Sequence, residues 1–226
     1  MDEAEWWVSN DPESLLLFLG RRANDRRLRL FGVACCRRVW DRLGDPRSCT
    51  AIDQAEAFAD GLISLEALGQ ACSNAREAAA PSDFAAVVAT DVAADFPFSE
   101  NLFFVVSLSG NAASAAAGGP PWDDAWNAAR QPELAHHAAL IRDIFGGLFH
   151  TVHLFRTTLL DPVWLTDTVL TLAQGMYASR DYSAMPILAD ALEDAGCDDE
   201  DILVHCRGTE PHVRGCWVID RLLGRE

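Results

Sequence analysis

Helix punctuation constrains this chain more than any other feature. Asp11-Pro12, Asp45-Pro46 and Asp161-Pro162 each precede apolar residues at helical spacing. An aspartate accepts hydrogen bonds from the free N–H groups of a first helical turn, and a proline just inside that turn loses nothing by lacking its own. Gly20, Gly61, Gly196, Gly208 and Gly224 stand where such helices would stop. Starts and stops this closely spaced leave room only for short helices. The expectation is an all-α fold over residues 1–226, a bundle of short antiparallel helices.

The segments between the signals fit that reading. Asp25 is a candidate cap for a helix running to about Leu43, with Leu28, Phe31, Cys35 and Val39 on one face and Leu30, Val33, Cys36, Trp40 and Leu43 widening it. Asp45-Pro46 opens a helix to Ala59 along Ile52, Ala55 and Phe58. Ser64 precedes another through Leu65, Leu68, Ala71 and Cys72. Leu102 to Leu108 is strand-like in composition, yet it runs on into Ala112–Ala117 and reads better as a buried helix. Gly118-Gly119-Pro120-Pro121 is the clearest linker and would divide the chain into 1–117 and 122–226. Asp161-Pro162 predicts a helix start, with Trp164, Leu165, Val169 and Leu172 on its apolar face. Pro186 begins a helix that Gly196 ends, and the acidic run Asp198–Asp201 caps a short one that Gly208 ends. Pro211 opens the last, with Val213, Cys216, Trp217 and Ile219 turned inward.

Charge is uneven. The net charge is −16, which disfavours nucleic acid or anionic membrane as the partner of the bulk surface. All 18 basic residues are arginine, and nine lie between Gly20 and Arg47 against three acids. Such an island either pairs with carboxylates of its own fold or presents Arg26, Arg29, Arg37 and Arg38 to a protein partner. No apolar run reaches membrane-spanning length, the first residues are acidic where a signal peptide is basic, and the expected compartment is the cytoplasm. There the seven cysteines would be free thiols or ligands.

Catalytic motifs are missing: there is no GxSxG, GxxxxGK[ST], GxGxxG, HExxH or EF-hand loop. The richest chemistry lies near the end of the chain. Cys197, Cys206, His212 and Cys216 would supply three thiolates and an imidazole, a zinc shell, with His205 as an adjacent substitute. Their gaps lack the close CxxC pair of most structural zinc sites, and buried cysteine is otherwise an ordinary small hydrophobe. His136-His137 and the pair His150, His153 have no supporting ligands nearby. Cys35, Cys36, Cys49 and Cys72 read as core.

Leu188-Ala-Asp-Ala-Leu-Glu-Asp-Ala-Gly-Cys197, His205-Cys206-Arg207-Gly208 and His212-Val-Arg-Gly-Cys-Trp-Val218 resemble the C-terminal signature of an uncharacterised helical protein family expanded in planctomycete bacteria. Ala34-Cys35-Cys36-Arg37-Arg38-Val39-Trp40, Arg142-Asp143-Ile144-Phe145-Gly146 and Asp161-Pro162 with Trp164-Leu165 resemble the same family. The alanine-rich middle matches in composition only, and the segment after Gly146 departs from that family's Asn-Pro-Phe-Arg pattern. The resemblance implies no activity. Two expectations follow: a non-enzymatic interaction domain presenting the arginine helix to a protein partner, with no cofactor, or a zinc-binding or thiol-dependent protein using the C-terminal cysteines and histidines.

Overall fold

The computed structural model describes residues 1–20, 23–79, 83–94, 123–146 and 160–225, together with positions 106 and 111. The fold is all-α, with eleven α-helices and no strand among the described residues. Two compact units divide the chain, Met1–Ile141 and Arg142–Glu226. No helix among the described residues is long and apolar enough to cross a membrane.

The first unit holds α1 (Glu3–Val8), α2 (Pro12–Leu19), α3 (Asp25–Arg38), α4 (Pro46–Ala59), α5 (Leu65–Ala78), α6 (Phe84–Val92) and most of α7 (Asp124–Phe145). Helices start where side-chain oxygens meet free N–H groups. Asp11, Asp45 and Ser64 accept from Glu13, Arg47 and Ala67, with proline in the first turn of α2 and α4. Asn24, not Asp25, caps α3 by accepting from Arg27. That helix also stops short of Leu43: Val39 N–H reaches back to Cys36 O, a tightened turn, and a 3-10 segment covers Trp40–Arg42. α4 packs against α3, α5 and α6. Phe31, Ile52, Leu68 and Val88 are fully buried in that unit.

The second unit begins with the end of α7 and continues through α8 (Asp167–Ser179), α9 (Met185–Asp194), α10 (Glu200–Arg207) and α11 (Trp217–Leu222). Its core joins Val169, Ala173, Met176, Leu188, Leu192, Ile202, Trp217 and Ile219. Asp161-Pro162 opens only a 3-10 turn over Pro162–Trp164, and α8 waits for Thr166, whose hydroxyl accepts from Val169 N–H. Gly196 takes φ +89°, a left-handed value that favours glycine, as it carries the chain from α9 to the Asp199-capped α10. The last helix starts at Trp217 rather than Pro211. Gly215 at φ +96° cannot continue a helix, and the Val213 N–H donates to a side chain instead of the helical ladder. The segment between α10 and α11 is therefore a loop.

Of Leu102–Leu108 only Val106 is described, and it is helical. The Gly118–Pro121 linker, His150 and His153 lie outside the described residues.

Candidate metal centre

Asp143, His205, His212 and Cys216 converge inside the second unit, with one ligand atom from each lying within 4.8 Å of all the others. Four separate pieces of local structure position them. Asp143 sits in the last turn of α7, His205 near the end of α10, His212 in the loop that Gly215 closes, and Cys216 at the start of α11. The buried Asp143 carboxylate is the hub. Its Oδ1 lies 2.7 Å from His212 Nδ1 and 3.2 Å from His205 Nε2, and its Oδ2 accepts from Val213 N–H at 2.9 Å. Cys216 Sγ is 3.2 Å from His205 Nε2 and 3.9 Å from His212 Nδ1. The imidazoles meet edge to face with centroids 4.8 Å apart, and the Trp217 indole N–H donates to His205 Nδ1 at 3.2 Å.

Burial dominates the electrostatics. It would push the Asp143 carboxyl up, but the hydrogen bonds from His205 and His212, with their charges, outweigh it and hold the group below the usual carboxylate range. The Cys216 thiol is pushed well up, by burial first and by the Asp143 charge second. Two polar atoms of this region are solvent-shielded and have no hydrogen-bond partner among the described residues, His212 Nε2 and the Tyr182 hydroxyl. Burial raises the Tyr182 hydroxyl too, followed by the charges of Cys216 and Asp143.

Of the residues singled out in the sequence, His212 and Cys216 belong to this cluster, and His205 takes a place in it. They do not share a helix face, as a helix from Pro211 would have required; the loop brings them together. Cys197 and Cys206 lie outside the cluster, in the hydrophobic core of the same unit. Burial raises the Cys206 thiol to about 12, with the Asp143 charge next. Asp143 is the member of the cluster that sequence reasoning missed. Its only trace there is the Arg142-Asp143-Ile144-Phe145-Gly146 string, which marks a resemblance and not a chemistry.

The arginines of α3 are engaged within the first unit. Arg26 pairs with Asp60 at 3.1 Å, and Arg37 with Asp53 and Glu56 at 2.8 and 3.0 Å. Arg38 forks onto Glu133 at 2.6 and 3.0 Å, while Glu133 also meets the buried His137 at 3.3 Å. Arg29, itself buried, donates to the carbonyls of Val92 and Ala94 at 2.8 and 3.1 Å, at the end of α6. Cys35, Cys36 and Cys72 are buried, and no further group of potential metal ligands occurs among the described residues.

Comparison of the chain with family models, curated proteins and solved structures found no match.

Proposed function

We propose that the C-terminal unit is a zinc-binding fold in which Asp143, His205, His212 and Cys216 form a closed structural shell and the protein has no catalytic role at this centre. The observation that carries the reading is the convergence of the four ligand atoms. Zinc bonds of about 2.0–2.3 Å place the corners of a tetrahedron about 3.3–3.7 Å apart. Four of the six separations, 2.7, 3.2, 3.2 and 3.9 Å, straddle that range, and no pair exceeds 4.8 Å, so movements of up to about 1 Å close the shell. Charge supports it as well. A carboxylate, a thiolate and two neutral imidazoles balance a dication, so a site buried to this degree would carry no net charge. With four protein ligands no position remains for a reactive water, which is the pattern of a structural site rather than a catalytic one.

Arg26, Arg29, Arg37 and Arg38 make ion pairs or hydrogen bonds within the first unit, and the reading proposed here concerns the second. Because burial raises the Cys216 thiol, zinc must displace its proton, and binding should release acid. The test is elemental analysis of the reduced, tag-free protein after exposure to zinc, with thiol titration before and after chelation. One zinc per chain is expected. It should be lost in Cys216→Ala and His212→Ala but kept in Cys197→Ala and Cys206→Ala. Zinc retained by Cys216→Ala, or absent from the unaltered chain, overturns the assignment.

A further inference from the structure

The contact between Trp217 and His205 sets the terms on which a metal can enter. An indole N–H is a donor with no lone pair to offer, so His205 Nδ1, 3.2 Å from it, must be the accepting, unprotonated nitrogen. In a neutral ring the hydrogen then sits on Nε2. There it serves Asp143 Oδ1 and Cys216 Sγ, each 3.2 Å away. A metal bound through Nε2 requires the opposite arrangement: the lone pair on Nε2 and the hydrogen on Nδ1, facing the indole N–H donor to donor. The two states cannot share one geometry.

We infer that Trp217 is a positioning residue that works against the metal. Its hydrogen bond to His205 and a zinc ion on Nε2 exclude one another, so zinc binding breaks the contact and the centre is an exchangeable, metal-responsive site. This rests on the zinc reading above. The exchange balances in atoms and charge. As zinc enters, the His205 hydrogen leaves Nε2 and one returns to Nδ1, while the hydrogen that His212 Nδ1 donates to Asp143 leaves and one returns to its Nε2, so both rings stay neutral. Cys216 gives its proton to solvent, and the indole N–H loses its acceptor and turns away. The hydrogen-bonded network competes with the ion for the same atoms: Asp143 accepts from His205, His212 and Val213. His205, at 14% side-chain exposure, is the least buried of the four ligands. It is therefore the ligand best placed to change state first.

Nitrogen NMR of the chelator-treated, reduced protein, followed by addition of zinc, reads the tautomer directly. His205 is expected as the Nε2–H form without metal and the Nδ1–H form with it, the Trp217 indole N–H signal moving to a position typical of a weaker hydrogen bond. Trp217→Phe keeps an aromatic ring but removes the donor. It should bind zinc about tenfold more tightly in competition with a chromophoric chelator, the worth of one neutral hydrogen bond. Zinc binding together with an Nδ1–H tautomer in the metal-free protein, or an affinity that Trp217→Phe leaves unchanged or weaker, overturns this inference alone. A failure of the wild-type protein to bind zinc overturns the zinc reading, and this inference with it. The wild-type spectra decide the question even if the variant does not fold.

Discussion

Asp143→Asn probes the hub of the centre with almost no change in volume. The carboxylate receives three donors: His212 at 2.7 Å, His205 at 3.2 Å and the Val213 N–H at 2.9 Å. An amide keeps one accepting oxygen and turns the other into a donor. With that oxygen toward the imidazoles, the amide NH2 confronts the Val213 N–H; rotated, it confronts both rings. Either way at least one buried donor loses its partner, at about 1–3 kcal/mol. The imidazoles also lose the anion that orders them, and the sum falls in the range of about 3–5 kcal/mol typical of breaking a buried charged network. Denaturant-dependent hydrogen exchange at the Val213 and Ile219 amides of chelator-treated protein reports on the C-terminal unit directly. The gap between variant and wild type should widen when zinc is added, because the variant lacks an anionic ligand. A loss below about 1 kcal/mol would refute the claim that this carboxylate organises the unit. A gap that closes on adding zinc would refute its role as a ligand.

The first unit carries two further predictions. Burial would raise the Glu133 carboxyl, but His137 and Arg38 together bring it down from 4.5 to about 2. A carboxyl depressed in the folded state stabilises above its unfolded value, and that contribution is lost as pH falls through the folded one. Urea titrations of Glu133→Gln should therefore show a deficit at neutral pH that shrinks between about 4.5 and about 2; a deficit independent of pH would remove the ion pair from the account. Arg29→Met keeps the buried stem but strands the Val92 and Ala94 carbonyls, and should cost about 2–4 kcal/mol with early exchange at the end of α6. Wild-type protection there would show that the guanidinium does not secure that end.

How much of this could be read from the chain depends on distance along it. Caps work within three or four residues, so Asp11, Asp45, Ser64, Gly196 and Asp199 marked their helix ends directly. The end of α3 and the delayed start of α8 were not visible, because each turns on a local backbone choice that several residue types allow. The candidate metal centre was half legible. Histidine and cysteine are rare enough to draw attention, which found His205, His212 and Cys216 but also Cys197 and Cys206, whose burial is that of ordinary hydrophobes. Asp143 is one carboxylate among the 34 acidic residues, and nothing around it distinguishes it. The arginine island shows the same blindness: Glu133 lies 95 residues from Arg38, and only the folded chain brings that pair together.

Asp143 meets His212 and Val213 across 69 and 70 residues of chain. Closing so long a loop costs entropy that the packing of α8, α9 and α10 between its ends must offset. At the proposed centre, an ion would then depend on the packing of the whole C-terminal unit for its ligands, and a partly unfolded unit would offer it no complete shell.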